Sequence, residues 1–436
     1  MSAAASKSVA SAVDRYRALF DARFGSDDAL TTLRRAALDR FTATGFPTSR
    51  DEDWKYTNLR RFESRSFALA ERGPVAPHEE NWIADAGARI GLANGRAISS
   101  LSSPQPPGVT VLTFGQWIAN SPGEVADFLA KNTDPSAPAF DALNTAFFED
   151  GVVIDVAEGV TLDQPIYIVH QWTGAASCMA HLKVFVRAGR SSQLTLIEHY
   201  LGAEEAESFT NAVTHLDLQS GARVSHYRLQ QESTRGFHMA HVEARLNSDS
   251  RYMCHDVAFG STLARTHISA SLLGAGADAQ LRGLFAPNGN QHLDTYTLVD
   301  HAAAHTVSTE EYRGIAGGRG RGVFRGKVIV RQDAQKIDSR QSSRNLLLSP
   351  TAEIDTRPEL EIYANDVKCS HGATTGQLDA TALFYLRSRG LSDNEARRLL
   401  IRAFAESILS GMESQPVKQY LEKRLHERFA SGQESA

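Results

Sequence analysis

For about 210 residues, from roughly Val152 to Ile362, the chain repeats one texture: a short run of β-branched and aromatic residues, then a turn of Gly, Asn or Asp. Helical spacing is largely absent across it. Val152-Val153-Ile154-Asp155-Val156, Ile166-Tyr167-Ile168-Val169, Leu182-Lys183-Val184-Phe185-Val186, Leu194-Thr195-Leu196-Ile197, His215-Leu216-Asp217-Leu218 and Val224-Ser225-His226-Tyr227-Arg228-Leu229 are such runs, returning every ten to fifteen residues or so. A sandwich or a barrel could produce this pattern. So long a stretch of strand and turn also suits a solenoid in which each coil stacks on the last, and a parallel β-helix is the preferred reading. No residue signature recurs at a fixed period, so the pattern alone leaves the sandwich open.

The flanks read differently. From about Val9 to Phe41 the pattern is helical, with Leu30, Leu33, Ala37 and Phe41 at spacings of three and four and a break near Gly25-Ser26 that divides it into two helices. Gly45-Phe46-Pro47 stops the second, and Gly73-Pro74 and Ser102-Ser103-Pro104-Gln105-Pro106-Pro107-Gly108 read as loops. After Gly376 the helical period returns. Asp379 can cap a helix through Leu383, Phe384 and Leu386, and Ser392 with Glu395 forms a capping box for the next. That second helix presents Ala396, Leu399, Leu400, Ala403, Phe404 and Ile408 as an apolar stripe, and Pro416 suits the first turn of a third that carries Val417, Tyr420, Leu421 and Leu425. The 436 residues are long enough for two or three structural units. The expected division is an N-terminal helical region with a linker over 1–140, a strand core over 141–365 and a C-terminal helical domain over 366–436. Removing everything after Gly376 is expected to leave the strand core folded.

Composition excludes several classes of function. Hydrophobic residues at 42% and charged residues at 22% argue against wholesale disorder. A formal charge of -5 offers no long-range attraction for nucleic acid or anionic lipid. Three scattered cysteines, Cys178, Cys254 and Cys369, can make neither a disulfide framework nor a four-thiolate metal site. The N-terminus lacks an apolar core region, and no run of about 18 apolar residues occurs. The expectation is a cytoplasmic protein that binds neither nucleic acid nor membrane.

The densest chemistry lies in Asp366-Val367-Lys368-Cys369-Ser370-His371-Gly372. If the preceding strand continues to His371, Cys369 and His371 project to one face, about 6 to 7 Å apart along the backbone. A thiolate beside an imidazole suits a soft metal or an iron-sulfur fragment, and the bland alternative is a buried Cys packing beside a hydrogen-bonding His. Two ligands cannot complete a tetrahedral site, so any metal held here needs ligands from a second polypeptide. His292, His301 and His305, with Asp294 and Asp300, form a second cluster but lack the zincin spacing and read mostly as solvent-facing or hydrogen-bonded strand histidines. Gly314 to Gly326 superficially resembles a phosphate loop; however, Val328 follows Gly326-Lys327 where Ser or Thr is required, and a strand follows in place of a helix. It reads as a turn with two exposed arginines, Arg319 and Arg321. No Gly-x-Ser-x-Gly elbow is present.

Five segments in order carry a resemblance: Gly45-Phe46-Pro47-Thr48 to Trp54-Lys55-Tyr56-Thr57-Asn58-Leu59; Phe324-Arg325-Gly326-Lys327-Val328 with Ala334-Gln335-Lys336; Asn345-Leu346-Leu347-Leu348; Pro358 through Ala373, including Cys369-Ser370-His371-Gly372; and Phe384-Tyr385-Leu386-Arg387-Ser388-Arg389-Gly390. Together they resemble the SufB/SufD family of the SUF iron-sulfur cluster assembly system, in its SufD branch. The resemblance spans about residues 45 to 410. It implies a mainly β fold: a right-handed parallel β-helix core flanked by N-terminal and C-terminal helical regions. It also implies a non-enzymatic scaffold subunit that pairs through its β-helix with a SufB-like paralogue and docks a SufC-like ABC ATPase through its C-terminal helices. Cys369 and His371 would then contribute to a transient cluster shared with the partner subunit, none being held stably by this chain alone. Arg398, Arg402 and Glu406 are the expected exposed ATPase-binding positions, and a homodimer is the expected alternative for the isolated chain. Ile337 stands where the family usually has Thr. Nothing in the chain reads as a dinucleotide fold for a flavin. The alternatives carried forward are a SufB-type paralogue, a β-helical carbohydrate-active enzyme, and an inert solenoid without a metal role.

Overall fold

The computed structural model of the chain describes residues 12–71, 79–98, 102–133, 137–174, 177–203 and 205–430. From Asp150 to Gln377 the backbone alternates between two sheets, strand by strand, so that every strand pairs in parallel with the strand two further along the sequence. Eight coils result, the first made by Asp150–Val156 and Ile166–Gln171 and the last by Glu353–Ile362 and Val367–Gln377. The fold is a parallel β-solenoid, not a sandwich. One inward column of the first sheet shows why no period was visible: Val156, Ala188, Leu218, Leu246, Leu272, His301, Val330 and Ile362 are register partners in turn, at steps of 26 to 32 residues. The strands keep register while turn lengths vary, so stacking is periodic in space and aperiodic in sequence.

The interior is apolar over most of its length, with Ile154, Val186, Leu216, Val242 and Ile268 meeting Leu196, Val224, Tyr252 and Leu281 from the second sheet. Both outer faces are covered. Helices α1 (Ala12–Arg23), α2 (Ala29–Thr44), α3 (Arg60–Glu63), α4 (Phe114–Asn120), α5 (Pro122–Asn132) and α6 (Ala139–Phe147) precede the solenoid. Phe20, Phe41 and Phe147 from α1, α2 and α6 join Phe46 and Phe62 against Met179, Phe209 and Phe237 of the first sheet. The break between α1 and α2 falls where Gly25-Ser26 places it, and Asp28 caps α2 by accepting from the Thr31 amide at 2.7 Å. Val9, the expected start of this pattern, lies outside the described residues. The region is not purely helical: Ala88–Ala93 extends the second sheet and Val109–Thr113 the first.

Three helices follow the solenoid: α7 (Ala380–Ser388), α8 (Asp393–Leu409) and α9 (Gln415–Ala430). Asp379 caps α7, and the Ser392/Glu395 capping box opens α8, as their sequence spacing implies. The apolar stripe of α8 is rotated from the expected one. Ala396, Ile401, Ala405, Ile408 and Leu409 are buried, whereas Leu399 is 47% exposed and Ala403 faces solvent. The reason is the surface it meets: α8 and α9 do not form a free-standing domain but lie on the outer face of the second sheet, against Tyr227, Leu229, Val257, Phe259, Leu284 and Ile315. The strand core also runs beyond residue 365, because Val367–Gln377 is its last strand. Its polar and glycine-rich sequence conceals this, since no further coil covers it and no apolar alternation is required.

The family motif near residue 54 fastens the N-terminal region to the first sheet. Arg265 stacks its guanidinium 4.2 Å from the Trp54 ring and donates to the Asp53 carbonyl at 2.8 Å. Asp53 itself pairs with Arg325, Glu52 with Arg357 at 2.6 Å, and the Thr57 hydroxyl donates to Asp294. Among the described residues no helix is long and apolar enough to cross a membrane.

Candidate functional site

Among the described residues no strand caps the end of the solenoid. Val367–Gln377 pairs along one edge with Ile337–Leu347, and its other edge pairs with no strand among the described residues. Along this eleven-residue strand the backbone donors and acceptors of every other residue thus face outward, with most side chains exposed. Uncovered strand edges of this length template pairing with another chain, and proteins ordinarily blunt them.

Cys369 and His371 sit on this strand and do share a face. Register identifies it as the solenoid's inner face: Ser308, Ser339 and Cys369 form one inward column, and Glu310, Gln341 and His371 the next. Cys369 is half-buried and packs against the edge of the interior core, while His371, one pleat along, is exposed. Burial pushes the Cys369 thiol above its ordinary value, and the nearby Asp338 carboxylate adds to that rise. The thiol is therefore protonated at neutral pH in the isolated chain, and any metal bound there would have to displace that proton. Gly372, beside His371, has open space where a Cβ would stand, so the strand leaves room for an approaching surface. No group of three or more His, Cys, Asp or Glu side chains positioned to hold a metal occurs among the described residues. Two such side chains are too few to complete a tetrahedral metal site by themselves.

The other candidates disperse. His301 lies inside the solenoid, bonded to the Thr306 hydroxyl at 2.7 Å and the Ser308 hydroxyl at 2.9 Å; His292 meets Thr57 under the N-terminal motif; His305 is exposed in a turn at positive φ. They form no common site. Cys254 is fully buried, its thiol pushed up to about 12 chiefly by burial, and His255 points to the opposite face, stacked on Tyr227 at 5.2 Å. The glycine-rich segment makes the turn at 317–320 between two strands, with Arg319 exposed but Arg321 half-buried and paired with Asp355 at 2.7 Å, so only one of the two arginines expected to be exposed is free of the sheet. Of the three α8 positions, Arg402 is exposed, while Arg398 and Glu406 are half-buried and Glu406 lies 3.6 Å from Lys418. The sequence did not reveal the most exposed apolar pair, Phe384 and Tyr385, at 74% and 56% exposure on α7, a helix with no buried residue. It also missed Glu310 and Gln341, which only the register places in line with His371. Glu198, Glu232, Asp256 and Glu310 are all buried inside the solenoid, out of reach of a polysaccharide.

Fold and site define a parallel β-solenoid sheathed by helices on both faces, whose uncovered last strand presents a thiol and an imidazole. Proteins of known type place it further. The family described as "SUF system FeS cluster assembly, SufBD core domain" matches residues 171–404, and "SufBD protein N-terminal region" matches residues 13–82 and 88–168. The chain belongs to the SufBD family. It is 29% identical to the iron-sulfur cluster assembly protein SufD of Escherichia coli, over 91% of this chain and 92% of that one. It is 32% identical to an iron-sulfur cluster assembly SufBD family protein of Synechocystis, over 88% and 87%, and 28% identical to one of Mycobacterium tuberculosis, over 86% and 87%.

Proposed function

We propose that this chain is a SufD-type scaffold subunit without catalytic activity of its own, which supplies Cys369 and His371 to a nascent iron-sulfur cluster at an interface with a SufB-like paralogue. The observation that carries the reading is the last strand. One uncovered edge offers both a backbone ladder for a partner strand and two soft ligands that need a partner's ligands to complete them. The cluster is cargo, held only while both surfaces are together. A SufC-like ABC ATPase docks on the C-terminal helices, where Phe384 and Tyr385 supply an exposed apolar surface.

The test is cluster reconstitution in the assembled complex with Cys369→Ser and His371→Ala. Loss of a ligand from so small a set costs more than the roughly 10 to 100-fold typical of a change behind the ligands. Both variants should still fold and join the complex, since neither side chain is fully buried. Full cluster yield in both would refute the assignment.

A further inference from the structure

The inward columns that end on Cys369 and His371 are polar near the open end, as they are again deeper in the solenoid at Tyr252 and His226. In the first, Ser339 bonds Ser308 at 2.8 Å, and Ser308 bonds His301 at 2.9 Å. In the second, Gln341 Nε2 donates to Glu310 Oε2 at 3.0 Å, and the Thr297 hydroxyl donates to the same oxygen at 2.6 Å. One coil further in, the same columns hold Ala279 and Leu281. A carboxyl inside a solenoid, with no cation paired to it, is costly and calls for a reason. The chain also makes room for its partner: a Cβ on Gly326 would overlap the Gln341 amide, lying 2.8 Å from its carbonyl carbon. Gly326 belongs to the Phe324-Arg325-Gly326-Lys327-Val328 segment, so that motif keeps the space in which Gln341 reaches Glu310.

Glu310 Oε1 and Gln341 Oε1 are both buried and have no protein hydrogen-bond partner among the described residues. Taking the Cys369/His371 half-site as given, we propose that Glu310 and Gln341 are positioning residues for His371, the charge of Glu310 fixing which end of the Gln341 amide is turned toward the imidazole one coil away. When Glu310 is ionised, it holds the Gln341 NH2, and Gln341 Oε1 is left to accept from an imidazole N–H. The other ring nitrogen then carries the lone pair that a metal needs. When Glu310 takes a proton from solvent, its O–H donates to Gln341 Oε1, the amide turns over, and its NH2 faces the imidazole instead. Burial pushes the Glu310 carboxyl up to about 7, against the pull of Thr297 and Gln341, so both states are populated near neutral pH.

The titratable neighbours are few. Tyr312 shares the strand, and two coils inward Cys254 and Asp256 lie with Arg228, whose 2.8 Å pairing with Asp256 largely cancels both charges. From the first sheet come Thr297 and, further along the same strand, His301; the inward positions Phe324, Gly326 and Val328 carry none. The following coil brings Gln341 and then His371.

The experiment is a pH series of long-range nitrogen NMR spectra on the full-length, histidine-labelled chain, with the His371 signal identified by its loss in His371→Gln. At pH 8 one His371 tautomer should exceed the value of a free imidazole by about fivefold, the worth of one ordinary hydrogen bond. The preference should fall through a second step near pH 7, distinct from the ring's own protonation. Glu310→Gln, equal in shape but unable to ionise, should lose that step, whereas Glu310→Asp should retain it. A wild-type profile fully described by one imidazole titration overturns the proposal even if every variant misfolds, as does an unchanged profile in a folded Glu310→Gln. Because neither cluster nor partner enters this measurement, its failure is distinguishable from failure of the half-site, which the reconstitution of Cys369→Ser and His371→Ala reads.

Discussion

Tyr312 lies wholly inside the solenoid, stacked on Phe324 with ring centroids 4.5 Å apart, and the space for its ring is provided by Gly283 in the adjacent strand. A Cβ on Gly283 would overlap the Tyr312 Cε1, with Cδ1 at 2.5 Å and Cζ at 3.0 Å. Ordinary contact begins near 3.4 Å, so the ring must move by about 1 Å in an interior packed to crystal density, between strands whose separation is fixed at about 4.8 Å. Overpacking of this kind costs about 1 to 3 kcal/mol, and the rigid obstacle places Gly283→Ala at the upper end, near 3 kcal/mol. The added methyl returns only about 0.8 kcal/mol of burial. Gly372→Ala is the control, because nothing lies within 4 Å of its Cβ position, and it should stay within about 0.5 kcal/mol of wild type. Urea unfolding followed by circular dichroism measures both. Combining Gly283→Ala with Tyr312→Leu should recover more than about 1 kcal/mol as non-additivity. If Gly283→Ala unfolds with the control, or its penalty is the same beside Tyr312 and Leu, the ring is not what excludes a side chain there.

Two further outcomes follow from charge and exposure. His170, His199 and His301 are held near 4 and His181 and His255 near 3, in every case chiefly by burial. The unfolded chain binds these protons below about pH 6.5 and the folded chain does not, so stability is complete above that pH and each histidine removes up to about 1.4 kcal/mol per unit as pH falls toward 4. His241 acts in the opposite sense: burial lowers it, but Asp141 prevails and raises it, and it is outnumbered by the eight histidines that burial lowers, the five above with His215, His267 and His292. Cooperative unfolding between pH 6 and 4.5 is expected, and a urea midpoint unchanged from pH 7 to pH 5 would contradict it. Phe384→Ser with Tyr385→Ser should leave stability within about 0.5 kcal/mol while lowering co-purification of a SufC-like ATPase at least tenfold, since both rings are largely exposed; undiminished capture would place the docking surface elsewhere.

The solenoid was legible because strand runs and turns are local features, and each quoted run from Val152 to Leu229 falls within a strand. Its topology was less so, because coils of 26 to 32 residues hide their periodicity. Cys369 and His371 could be put on one face by counting two residues, a rule that needs no tertiary knowledge. Gln341 and Glu310 could not be put beneath them, because that placement depends on steps of 30 and 31 residues between register partners. The α8 stripe failed for a related reason. Several apolar residues occupy adjacent positions there, and periodicity alone cannot choose between Leu399 and Ile401 when the covering surface is a distant sheet.

That same surface changes how the terminal helices must be tested. Ile401, Ile408, Leu409, Met412, Val417, Leu421 and Leu425 cover Tyr227, Leu229, Val257, Phe259 and Leu284, and the Tyr227 hydroxyl accepts from the Glu413 amide at 3.0 Å. Removing everything after Gly376 would uncover this whole apolar face, a patch of the kind that drives aggregation, so the truncated strand core is not expected to remain a soluble folded unit. The expectation drawn from sequence treated α8 and α9 as an appended domain, and it fails because they are the outer layer of the second sheet. Only α7 stands clear. With no buried residue of its own, it follows the last strand directly, so Cys369, His371 and the exposed rings of Phe384 and Tyr385 lie at the same end of the molecule. An ATPase held on α7, as proposed, would therefore lie next to the strand that carries Cys369 and His371, with only the short connection at Leu378-Asp379 between that strand and its own docking helix.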